Sequence, residues 1–183
     1  MNTLLDYLKN YDNLSPEDRF TIDVLKKKSG AFFLEDTAWY WKNQKQVTLN
    51  ESDILSLEPI KSLRPEYLVL FNNRITDITP ICNMESLVHL NLIGNNIRFL
   101  DGIEELVGLR ELFLGFNQIT DISPLTNMRN LKLLGLKSNQ IKDINSLKSL
   151  TGLVELNLFG NPLDLAQINS LRGSLPGCKI TFE

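Results

Sequence analysis

Histidine occurs once in this sequence and cysteine only twice. One His and two distant Cys cannot supply a cluster with metal-ligand spacing, so no metal or other cofactor is expected. Nor can Cys82 and Cys178 staple the ends of a small secreted domain, and a reducing, cytoplasmic compartment is the expectation. Basic residues are not in excess: 19 Lys and Arg stand against 22 Asp and Glu, a net charge of −3. No broad cationic surface is available to hold a phosphate backbone, which argues against nucleic acid as a partner. No apolar run approaches the roughly 18 residues of a membrane span, so no membrane insertion is expected. The start, Met1-Asn2-Thr3-Leu4-Leu5-Asp6, has no basic leading region and reads as a poor secretion signal. Phosphate-binding glycine motifs are missing as well.

What the sequence does have is a repeat. Leu87-Val88-His89-Leu90-Asn91-Leu92-Ile93-Gly94-Asn95-Asn96-Ile97 reads L-x-x-L-x-L-x-x-N-x-L, and Leu109–Ile119, Leu131–Ile141 and Leu153–Leu163 repeat it. The asparagines Asn95, Asn117, Asn139 and Asn161 are 22 residues apart. Looser copies precede them at Leu68–Ile75, with Asn73, and at Val47–Ile54, where Ser52 takes the Asn place. This pattern is identified as the leucine-rich repeat, whose period is about 20–29 residues. In each unit the leucine pair of a short strand points inward and the residue between them outward, because strand side chains alternate. Ile97, Leu100, Ile103 and Leu106 return the chain with their side chains in the core. Ile75, Ile78, Ile81, Met84 and Ile119, Ile122, Leu125, Met128 form equivalent columns. A unit of this length leaves room only for a turn or a 3₁₀ segment on the convex side.

Several polar residues have structural explanations. Asn73, Asn95, Asn117, Asn139 and Asn161 should form a ladder, each amide pairing backbone groups freed where strand becomes loop. Asp77, Asp121 and Asp143 suit capped turns better than a file of metal ligands.

Residues 1–45 do not repeat and should form a helical N-terminal cap. Leu4, Leu5, Leu8 and Tyr11 lie at helical spacing. Ser15-Pro16-Glu17-Asp18 starts a second helix that should stop at Ser29-Gly30, with Lys26-Lys27-Lys28 complementing its C-terminus. Phe32, Phe33, Trp39, Tyr40 and Trp41 are expected to form a lid over the first rung, the other reading being a second interaction surface. Six repeats then occupy 46–163. Residues 164–183 form a C-terminal cap: a short helix over Ala166–Leu171, then an edge strand in which Leu175–Ile180 copies the L-x-x-L-x-L half of the motif, with Cys178 at the place of Leu156, Cys178 and Ile180 inward, and Lys179, Thr181 and Glu183 giving a polar side. The expected fold is therefore an α/β leucine-rich-repeat right-handed solenoid, a horseshoe with a parallel concave sheet.

The longer form, L-x-x-L-x-L-x-x-N-x-I-x-D-I-x-P-L, seen in Leu109–Leu125, resembles the 22-residue class shared by bacterial internalins and a regulatory subunit of type-1 protein phosphatase. The resemblance covers roughly residues 46–182. It implies partners, usually proteins, held on the concave strand surface.

The outward strand positions are then where function must lie. Val69, Phe71, Ile93, Phe113 and Phe116 should make an apolar stripe flanked by Tyr67 and Leu133, with Gly115 and Gly135 leaving shallow gaps beside Phe113. Such a patch marks an interface. Phe159, His89, Glu111 and Lys137 share the face, and Arg110, Lys137, Glu111 and Glu155 would make a polar rim. His89 with Glu111 could orient a proton, but no nucleophile stands clearly beside them, so an exposed polar contact is the reading and no enzyme is expected. The expected function is a protein-binding adaptor or regulatory module. A secreted or translocated effector binding a host protein, a self-associating homodimeric scaffold, and internal cover of the stripe by the N-terminal segment are the alternatives.

Overall fold

A computed structural model describes residues 3–182; the expectations touching Met1, Asn2 and Glu183 lie outside the described residues. Three helices come first: α1 (Leu4–Lys9), α2 (Pro16–Ser29) and α3 (Leu34–Lys42). Seven three-residue strands follow, β1 (Gln46–Thr48), β2 (Tyr67–Val69), β3 (His89–Asn91), β4 (Glu111–Phe113), β5 (Leu133–Gly135), β6 (Glu155–Asn157) and β7 (Lys179–Thr181). They form one open parallel sheet in chain order. Five 3₁₀ segments return the chain between strands β1 to β6, and α4 (Leu165–Ser174) makes the last return.

The register aligns Val47, Leu68, Leu90, Leu112, Leu134, Leu156 and Ile180 in one column. The six from Val47 to Leu156 are fully or almost fully buried, as are the return columns from Ile75 to Met84 and from Ile119 to Met128. Each buried Leu or Ile contributes roughly 1.5–3 kcal/mol, but only because the next rung covers it.

The asparagine ladder ties each rung to the one before. Asn117 Nδ2 donates to the carbonyls of Leu114 in its own rung and Leu92 in the preceding rung, both at 3.0 Å, while its Oδ1 accepts the Ile97 N–H at 3.0 Å. Asn95, Asn139 and Asn161 repeat this arrangement. Asn73 does likewise and accepts the N–H groups of both Ser52 and Ile54. The substitution at Ser52 now has a reason. The amide serves the preceding rung, and the first rung has none to serve. Asp77, Asp121 and Asp143 accept the N–H two residues ahead at 2.8–2.9 Å, the capped turns expected of them, and the hydrogen bonds from Ser123 hold the Asp121 carboxyl below its ordinary value.

The ends depart from expectation in three places. α2 runs as read, with Ser15 capping and Gly30 closing it at φ 65°. α3, however, had no clear start signal: Phe33 occupies its N-cap without a side-chain hydrogen bond. Of the five aromatics expected to form the lid, only Trp41 is buried, its Nε1 donating to the Leu25 carbonyl at 3.1 Å. Phe32 is 98% exposed, and Phe33, Trp39 and Tyr40 also face solvent. The lid is built instead from Leu4, Tyr7, Leu8, Ile22, Leu25 and Trp41, because α1 and α2 already fill the end of the core.

At the other end α4 takes more chain than a 3₁₀ turn. Ile180, not Cys178, therefore stands opposite Leu156. Cys178 is half-buried just before the strand, and burial raises its thiol pKa. Cys82, fully inside, is pushed up to about 12 by desolvation, so neither thiol is activated.

Replacing Asn117 by Ala should destabilise the protein by about 1–3 kcal/mol in urea unfolding, since buried backbone groups lose their partners. Ser52→Ala should cost little, because Ser52 Oγ bonds only the nearby Asn50 carbonyl. Equal costs for the two would contradict the ladder account.

Candidate protein-binding face

The sheet face turned away from the core carries three outward columns. Gln46, Tyr67, His89, Glu111, Leu133, Glu155 and Lys179 pair laterally in the first; Thr48, Val69, Asn91, Phe113, Gly135, Asn157 and Thr181 in the second. Hydrogen bonds such as Phe116 N–H to the Lys137 carbonyl (2.7 Å) and Ser138 N–H to Phe159 (2.7 Å) extend the ladder past the strands. They align Asn50, Phe71, Ile93, Gly115, Lys137 and Phe159 as the third.

The apolar stripe is present but divided. Asn91 stands between Val69 and Phe113 in the register, its side chain accepting the Ile93 N–H. The rings connect instead through His89, whose centroid lies 5.8 Å from Tyr67 and 5.4 Å from Phe113. His89 Nδ1 is 2.7 Å from Glu111 Oε2. That contact holds the imidazole between the two rings, and among the described residues no hydroxyl or thiol hydrogen-bonds to the pair. It is a positioned polar contact within an aromatic row.

Further along, Ile93, Phe113, Phe116, Leu133 and Lys137 border one cleft of about 360 Å³. Its depth comes from missing side chains. A methyl on Gly135 would approach the Phe113 ring at 3.0 Å, and one on Gly115 the Lys137 carbonyl at 3.3 Å. Glu155, Asn157, Lys179 and Thr181 complete the far wall, and Lys179 pairs with Glu155 at 3.4 Å. Sequence reading left out Lys179 and Thr181, since that needs the register of β7. Tyr67, Phe116 and Phe159 are the most exposed apolar side chains of the face; Val69, Phe71, Ile93, Phe113 and Leu133 are half-buried.

The N-terminal helices do not cover this face. They pack on one another and against the 3₁₀ turn Glu58–Ile60. Tyr7 donates to Glu58 at 2.9 Å, Ser56 to Asp18 at 2.6 Å and Thr21 to the Ser56 carbonyl at 2.8 Å. Internal cover of the stripe is thereby corrected: the cap closes the end of the solenoid and leaves the sheet open.

One backbone feature belongs to this face. The third residue past each of β1 to β6 adopts a left-handed conformation: Glu51, Asn72, Gly94, Phe116, Ser138 and Gly160 have φ between 50° and 72°. Glycine and asparagine accept this readily; a phenylalanine does not, at a cost of roughly 1–2 kcal/mol. Phe116 bears that strain while its ring remains half outside the protein.

An open parallel solenoid with a shaped, uncovered sheet face defines the class of protein. A leucine-rich-repeat family profile, in two copies, matches residues 85–127, and a second leucine-rich-repeat profile matches 108–163. Among solved structures, an internalin (inlF) of Listeria monocytogenes is 26% identical over 89% of this chain and 54% of its own, with a TM-score of 0.65. A leucine-rich-repeat protein of Leptospira interrogans is 27% identical over 80% of this chain and 39% of its own, with a TM-score of 0.71. Internalin C2 of L. monocytogenes, 23% identical over 88% of this chain and 91% of its own, shares the fold with a TM-score of 0.59. No protein with a curated description matches. Residues 85–163 thus carry leucine-rich repeats, and the fold of the chain is similar to that of the internalins. The chain spans about half the length of the first internalin and about two fifths of the Leptospira protein.

Replacing Phe116 by Gly should raise the unfolding free energy by about 1 kcal/mol, because the left-handed strain is relieved and little buried contact is lost. A loss of stability in chemical denaturation would show that the ring is needed by the fold itself.

Proposed function

We propose that this chain is a non-enzymatic protein–protein interaction module, an adaptor or regulatory subunit, that grips a protein partner on its open sheet face. Leucine-rich-repeat proteins generally mediate protein–protein interaction, and relatives of this fold are typically non-enzymatic. The observation that carries the reading for this chain is the aromatic row Tyr67–His89–Phe113, continued by exposed Phe116 and Phe159, on a face that neither cap covers. Rigid rings supply large contact area with little side-chain entropy to lose, and interfaces are enriched in them. Val69, Phe71, Ile93 and Leu133 supply the half-buried floor, and Glu111 and Lys137 the charge that discriminates among partners. Two free thiols support a reducing, cytoplasmic setting, and the balance of charge favours protein over nucleic acid.

The experiment compares cross-linked partner capture from the source cell by the wild-type chain and by a Phe71→Ser, Phe113→Ser variant, with circular dichroism confirming the fold. The paired substitution, which removes one anchor and one floor residue, should weaken binding about 10–30-fold or more. Undiminished capture by a folded variant would remove the proposal. If light scattering instead shows a wild-type dimer that the variant lacks, the face serves self-association.

A further inference from the structure

Within the sheet face, Lys137 differs from the other charged residues. Glu111 has His89 and Glu155 has Lys179, but among the described residues no carboxylate lies within 4 Å of the Lys137 ammonium. It is half-buried, and aromatic faces stand over it: the Phe116 ring centroid is 5.0 Å from Nζ and the Phe159 centroid 5.2 Å. Rings that flank a cation hold it in place and leave its N–H groups unpaired. The cleft beside it is floored by Phe113, Leu133 and Gly135. The cleft is therefore an apolar recess with one uncompensated positive charge at its edge, because Glu155 and Lys179 neutralise each other across the far wall.

We infer that this cleft recognises a partner protein through a large apolar side chain seated beside an aspartate or glutamate, the apolar group on Phe113, Leu133 and Gly135 and the carboxylate on Lys137. The inference rests on the protein-binding reading above and names the chemistry of the partner. About 360 Å³ is at the small end of ligand-pocket sizes, roughly 300–1,000 Å³, suited to a single large side chain. The acid follows from charge complementarity: an ammonium flanked by two rings, with no carboxylate of its own chain beside it, is matched by one that the partner brings. The strained backbone of Phe116 is the independent support. The fold would accept Gly or Asn at that turn, as it does at Gly94 and Asn72, yet the chain keeps an exposed ring there, over the cation.

The test uses 12-residue peptides displayed on phage and selected on the whole chain. Peptides whose binding is lost on Phe113→Ser should carry Asp or Glu within two positions of Leu, Ile, Phe, Trp or Met. Lys137→Gln should weaken them about tenfold, Lys137→Arg far less. Exchanging the peptide's acid for its amide should cause the same loss, with no further loss when combined with Lys137→Gln, the signature of a direct pair. Phe116→Gly should weaken them comparably while leaving the protein folded, a result that a purely structural Phe116 would not give. Phe113-dependent peptides without an acid, or indifferent to Lys137→Gln, overturn the assignment and leave the wider sheet-face reading intact. A selection with no Phe113-dependent peptide overturns it too, and the partner-capture comparison then decides the wider reading by itself.

Discussion

Each rung of this protein borrows from its neighbour, and the borrowing is done by one amide. The asparagine that follows a strand donates back to the carbonyl of the preceding rung and accepts an N–H from that rung's loop. Those groups are buried, and leaving any unpaired costs about as much as one good apolar contact brings. Among the described residues, no buried side-chain nitrogen or oxygen lacks a partner. Core burial draws the rungs together; the amide sets their register, so that the inward leucines align and the outward columns become continuous.

The same geometry has a consequence on the opposite face. An asparagine placed inside the turn requires the chain to bend back immediately after the strand, and the residue that makes the bend adopts positive φ in every repeat. At most rungs a small or polar residue accommodates this. At Phe116 the bend instead lifts an aromatic ring to the edge of the sheet, where it meets the Lys137 ammonium. Core architecture and candidate recognition surface are therefore coupled through a single backbone dihedral.

The caps matter for function through where they do not go. α1, α2 and α3 close the first rung by hydrogen bonds to Ser56, Glu58 and Ser62 and by packing Leu8, Ile22, Leu25 and Trp41 at the end of the core. α4 and β7 close the last. Both seal the solenoid along its axis and leave the strand face open, which is why Tyr67, Phe116 and Phe159 remain exposed.

Whatever repeats was legible from residues alone: the inward columns, the asparagine ladder, the capped aspartates and the gaps at Gly115 and Gly135. A 22-residue period lets each position be judged by its equivalents, and period 2 within a strand assigns its face. What does not repeat was decided by the tertiary structure. The extra residues consumed by α4 set Ile180 rather than Cys178 opposite Leu156. Two cap helices filled the core's end and left Phe32, Phe33, Trp39 and Tyr40 outside, and Asn91 divides a stripe that spacing alone made continuous, leaving His89 to join its rings. The physical reason is common to all three. Periodicity states which way a side chain points relative to its own strand. Whether it is then covered, paired or left exposed depends on the volume of elements distant in sequence, and that is settled only when they meet.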